Sequence, residues 1–196
     1  MGVALSAACG FRVFLPILVM SVAARLGYVH PAPSWEWVGS VPAIITLATA
    51  TLIEVLAYYI PWLDHALDVI AAPAALIAGT LMTASLVTDV SPVVKWSLAI
   101  IAGGGVAGIA QTITTAVRVA STVTTGGLAN PIVSTIESVG AIVLSILAIL
   151  APLVALGVIV LSALLFVRFL TRILRRRRAA TLTAPVPQTH SSDRAM

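Results

Sequence analysis

Apolar residues in this chain come in continuous runs, and short clusters of proline, glycine, tryptophan or charge separate the runs. Runs of about 20 apolar residues suit membrane-crossing helices, whereas barrel strands would alternate apolar and polar positions. The first run covers residues 2–26 and is interrupted by Gly10, Arg12 and Pro16. A loop over residues 27–40 carries Pro31, Pro33, Trp35 and Trp37. Indole rings favour the headgroup layer, so this loop is expected to lie along the membrane surface. The second and third runs cover residues 41–60 and 66–87, and the fourth covers 96–115. A link is expected from Arg118 to Asn130. The apolar stretch from Pro131 past Phe166 would be about 60 Å long as one helix, twice the hydrocarbon thickness. It is therefore expected to fold back at Pro152, giving runs over residues 131–150 and 153–174.

The pattern predicts an all-α, polytopic transmembrane helical bundle of about six spans in one domain, residues 1–174. A basic juxtamembrane stretch and a disordered tail follow over residues 175–196. A secretory signal peptide is disfavoured at the start, because no early positive charge precedes the run and Arg12 sits within it.

Composition removes the soluble alternatives. Hydrophobic residues make up 60% of the 196 and charged residues 9%, against roughly a quarter charged in soluble domains. So few charges cannot cover a water-soluble surface. The single cysteine, Cys9, can form no intrachain disulfide and reads as a small packing residue. His30, His65 and His190 are scattered, and no phosphate-binding glycine loop or nucleophile–base set is legible, so no enzyme activity, cofactor or metal is expected. Arg172 and Arg175–Arg178 beside the last run read as a juxtamembrane anchor, not a nucleic-acid patch, and place the C-terminus in the cytoplasm. Six spans bring the N-terminus to that side too. A re-entrant first run would leave five spans and move it outside.

Ionisable residues inside membrane runs are costly unless paired or wet, so each is a functional lead. Arg12, Glu54 and Glu137 qualify. In the six-span arrangement all three fall within roughly 2 Å of one level. Asp64, Asp68, Gln111, Arg118, Asn130 and Ser134 fall in the same half. Together they suggest a one-sided polar vestibule forming a substrate or ion pathway, with Arg12 at its floor. Two carboxylates against one buried arginine leave a spare negative charge, which favours a cation or proton. The competing reading is a structural brace pinning three helices. Residues 126–131, Gly-Gly-Leu-Ala-Asn-Pro, fit either an ordinary Asn-capped turn or a helix start that attracts anions. Gly104 and Gly108 share a helix face that allows close packing, including against a second copy.

Three motifs occur in order: Gly-Phe-Arg-Val-Phe-Leu-Pro at residues 10–16; Glu54 with Pro61, Asp64 and Asp68; and Thr125-Gly-Gly with Asn130, Pro131, Ser134 and Glu137. Over residues 2–174 the chain resembles a widespread family of small bacterial multi-pass membrane proteins catalogued as a domain of unknown function. Many relatives carry an Asp-Lys pair where this chain has Tyr58 and Tyr59. The resemblance implies a bacterial inner-membrane location with the lipid bilayer as surroundings. The leading functional expectation is a small transporter or channel-like protein for an ion or small polar solute. The alternative is a non-transporting scaffold or lipid-binding protein.

Overall fold

The computed structural model describes the backbone of residues 1–182, and their side chains except at positions 61, 62, 64, 65, 68, 169, 170 and 173–182. The expected disordered tail beyond residue 182, with His190, lies outside the described residues. Every regular element among the described residues is helical: α1 (Gly2–Cys9), α2 (Phe14–Arg25), a 3-10 helix (Pro33–Gly39), α3 (Val41–Ala57), α4 (Pro61–Leu86), α5 (Pro92–Leu98), a π-helical stretch (Ala99–Gly104), α6 (Gly105–Thr125), α7 (Asn130–Leu150) and α8 (Pro152–Leu182). Residues 1–159 form one compact unit, and residues 160–196 form a second, described through Leu182 as the remainder of α8.

Proline and serine set the helix starts. Pro42, Pro61, Pro92, Pro131 and Pro152 each occupy the first or second position of a helix, where a missing N–H costs nothing. Ser40 and Ser91 cap α3 and α5 by accepting from the amides of Ala43 and Val94, at 3.3 and 3.4 Å. The helix break before Pro152 falls where the sequence places it. The link expected from Arg118 does not. Helix α6 runs on to Thr125 and ends at Gly126, whose φ of 63° stops a helix at little cost.

The first run is two short helices meeting at a break, and it returns to the face from which it starts. Gly2 packs against the Cα of Thr83, and Ser6 donates to the Gly79 carbonyl at 2.6 Å. Gly10 then presses onto α6 at Ala107. Helix α2 climbs back until the Ser85 hydroxyl meets Met20 Sδ at 3.7 Å. Met1–Val3 and Tyr28–His30 line one cavity. The run is thus a re-entrant helical hairpin with its tip at Gly10–Val13, and the expectation of a spanning first segment is corrected.

Among the described residues, three helical segments, Val69–Leu86, Pro92–Thr125 and Asn130–Leu150, are long and apolar enough to cross a membrane. A fourth is reached if the 3-10 helix and α3, bent by 66°, count as one span. Phe14–Arg25 and Pro152–Arg168 are shorter apolar helices. Among the described residues these segments do not confirm the expected count of about six.

Packing is inverted relative to a soluble protein. The interior is built largely from small residues such as Ala7, Ala8, Ala75, Ala107, Ala141, Ser6 and Ser145. Large aliphatics such as Val69, Ile101, Ile136 and Leu153 point outward. In water so large an apolar exterior would aggregate; in lipid it is the solvated face. Small interior residues let the backbones close up. A Cβ on Gly103 would lie 2.5 Å from the Gly79 carbonyl oxygen, one on Gly104 2.5 Å from Thr80 Oγ1, and one on Gly108 2.6 Å from Leu76. The face of Gly104 and Gly108 is therefore filled by α4 of the same chain, not offered to a second copy.

Candidate functional site

The hairpin tip carries the site. Gly10 is helical in backbone angle, with φ −74°, so its lack of a side chain serves close approach and not a turn. A Cβ there would stand 2.5 Å from the Ala107 carbonyl oxygen and 2.8 Å from the Gln111 amide. Thr114 Oγ1 donates to the Gly10 carbonyl at 3.3 Å, satisfying an acceptor freed by the break.

Arg12 is 1% exposed. Its Nε donates to Ser138 Oγ at 3.0 Å, and Nη2 donates to the Ser134 carbonyl at 2.9 Å and to the Ser134 hydroxyl. Nη2 also stands 3.7 Å from Glu137 Oε2, an ion pair. Nη1 is buried without a hydrogen-bond partner. The guanidinium carbon lies 4.0 Å from the centre of the Tyr58 ring, whose π-face offsets part of that cost.

Arg118, 4% exposed, is the second buried arginine. Its Nε donates to both Glu137 oxygens at 3.1 Å, and its Nη2 makes a close contact with Oε2. Its guanidinium carbon also lies 4.0 Å from the Tyr58 ring centre. Glu137, 5% exposed, is gripped by two arginines at once.

Glu54 is not Arg12's direct partner. Its Oε1 accepts from the Val13 amide at 2.7 Å and its Oε2 from the Phe14 amide at 3.1 Å. These are free N–H groups at the start of α2, where a negative charge is favoured. Glu54 is half-buried, unlike Glu137.

The structure brings together Arg12, Glu54, Arg118, Ser134 and Glu137. Gln111 and Asn130 lie on the same two helices but engage other partners: Gln111 Nε2 donates to Thr115 Oγ1 at 3.3 Å, and Asn130 Nδ2 to Thr122 Oγ1 at 3.1 Å. Asp64 and Asp68 lie in the first turns of α4, with side chains outside the described set. Arg118 was expected at the edge of a link and is instead inside α6. That corrects the charge argument: among the described side chains, two arginines face two carboxylates, and no negative charge is spare.

Tyr58, Ser138 and Thr114 were not anticipated. Each carries a spacing signal. Tyr58 follows Glu54 by one helical turn, Ser138 follows Ser134 likewise, and Gln111, Thr114 and Arg118 form one stripe on α6.

The inverted packing and the buried charges at a broken re-entrant segment define an integral membrane protein of the all-helical class. No group of three or more potential metal ligands assembles among the described residues. The chain belongs to the family described as Domain of unknown function (DUF4126), which it matches over residues 1–172. No curated protein and no solved structure matches it.

Proposed function

We infer that the protein is a small transporter or channel-like protein, moving an ion or small polar solute past the hairpin tip. One observation carries this reading: half-buried Glu54 holds two backbone amides of an interrupted intramembrane helix, directly beside buried Arg12. Irregular backbone at membrane depth is tolerated where it is buried in protein or lines a path, and broken helices commonly line substrate sites. Glu54 is the group that exchanges, by releasing the Val13 and Phe14 amides or by taking a proton. The scaffold reading has its own support, because Glu137 gripped by Arg118 and Arg12 is a brace. The two roles divide between the two carboxylates.

Reconstituted protein, with dyes for protons, sodium, potassium and chloride inside the vesicles, should dissipate at least one imposed gradient. Glu54→Gln should lower that flux at least about tenfold while costing about 2 kcal/mol of stability, because its one amide oxygen can accept from only one of the Val13 and Phe14 amides. A folded wild-type protein that dissipates none of these gradients would sink the ion reading.

The proposed topology has the hairpin and the tryptophan loop outside, about five crossings, and the C-terminus in the cytoplasm of a bacterial inner membrane. In a Cys9→Ala background, single cysteines at Ser34 and Ser91 should react with an impermeant maleimide from outside, and one at Thr125 only from inside. Labelling of Ser34 and Thr125 positions from one side would overturn it.

A further inference from the structure

We propose that the outer face holds a specific site for a phospholipid with a zwitterionic, ammonium-bearing headgroup, formed by two pockets that meet at Ser40.

The first pocket is an open-sided cavity of about 470 Å³ between α2, the 3-10 helix, α3 and the end of α4. Its walls are apolar, with Ile17, Met20, Ala43, Leu47, Leu81 and Met82 among them. Trp35 and Trp37 also line it, with their rings stacked at 6.3 Å. Along α3 it reaches from Ser40 to Leu47, about 10 Å into the bilayer, which suits the upper half of one acyl chain. Tryptophan marks the headgroup boundary, so the cavity opens at the level where a chain begins.

The second pocket, about 420 Å³, shares Ser40 with the first and is lined by Arg25, His30, Glu36 and Gly39. Arg25 and Glu36 are both exposed, and neither forms an ion pair with the other or with any described residue. A cation and a carboxylate left without protein partners in one pocket complement a ligand that carries both signs. The phosphate would meet Arg25, a planar fork suited to phosphate oxygens, and the ammonium would donate to Glu36. A trimethylated ammonium has no N–H to donate, and an anionic headgroup would face the Glu36 carboxylate unfavourably. Phosphatidylethanolamine therefore fits better than phosphatidylcholine or phosphatidylglycerol.

The test uses the full chain in bilayers, with Trp62→Phe and Trp96→Phe leaving Trp35 and Trp37 as the reporters. Lipids brominated in the upper acyl chain quench an indole that they touch. Brominated phosphatidylethanolamine should quench beyond its mole fraction and be preferred over phosphatidylglycerol by roughly two- to fivefold, the range an exposed ion pair supports. Glu36→Gln should erase the preference over both other lipids, and Arg25→Gln should weaken all three. Ala43→Phe, which fills the cavity, should remove the excess quenching for every headgroup. Native mass spectrometry of the unmodified chain, scoring which lipid survives detergent removal, reads the same selectivity without tryptophan changes. Quenching that follows mole fraction for every lipid would show a general annulus and overturn the site. So would a preference for phosphatidylglycerol, or one unchanged by both charge variants.

Discussion

Glu137→Gln is expected to leave a protein that no longer purifies as a monodisperse species in detergent. The substitution removes the carboxylate shared by two arginines that are 1% and 4% exposed. Breaking one buried pair by deleting a partner typically costs about 3–5 kcal/mol, because the remaining charge stays desolvated and unmatched. Here two cations are stranded, in a chain whose total stability is of order 5–15 kcal/mol. The neutral amide can still accept one hydrogen bond from Arg118, so some helical content should persist. The double variant Glu137→Leu with Arg118→Leu removes a charge of each sign and fills the space with apolar atoms. It should recover a monodisperse peak and part of the thermal midpoint, since Arg12 keeps Ser134 and Ser138 but still loses its ion pair with Glu137. Should the single variant unfold at the wild-type temperature, the cluster is wetter and less braced than the geometry implies.

Gly10→Leu should be as damaging for a purely steric reason. The new side chain would have to enter space held by the backbone of α6 at Ala107 and Gln111, which cannot rotate away. Forcing atoms into a filled core costs about 3 kcal/mol or more when no flexible neighbour can yield. Gly140→Ala is the control. A Cβ there meets nothing within 4 Å, and alanine is the better helix former by about 1 kcal/mol. Thermal unfolding in the same detergent should show a drop for Gly10→Leu and none for Gly140→Ala. Equal effects would mean that the hairpin tip is not pressed onto α6.

Much of this fold is legible because lipid simplifies the rules. Proline starts, apolar run length and the break at Pro152 place the bounds of α3, α4, α7 and the start of α8 close to where they fall. That Arg12, Glu54 and Glu137 gather around one tip is legible too, Arg12 pairing with Glu137 and Glu54 taking the amides of the next two residues. At 25 residues the first run is long enough to cross. Nothing local in it reveals that Gly10 meets α6 or that Glu54 of α3 takes the amides of Val13 and Phe14. Those are tertiary contacts. Arg118 was misplaced because serines and threonines follow it, and their hydroxyls bond to carbonyls within the helix, as Thr124 and Thr125 do, without ending it. Tyr58 was passed over because its function here is the face of its ring, which sequence spacing alone does not advertise.

The re-entrant hairpin also constrains the order in which the protein can be made. Its two helices, 8 and 12 residues long, are each too short to be integrated as a crossing, and the tip between them carries a charge. The hydrogen-bond acceptors of Arg12, Ser134 and Ser138, and its ion-pair partner Glu137 lie more than 120 positions later in the chain. Ribosomes add about 5–20 residues per second, so the hairpin waits several seconds after its own synthesis before its partners exist. Until then Arg12 is better solvated at the membrane surface than within the bilayer. The hairpin, synthesised well before its partners, is therefore among the last segments to be buried.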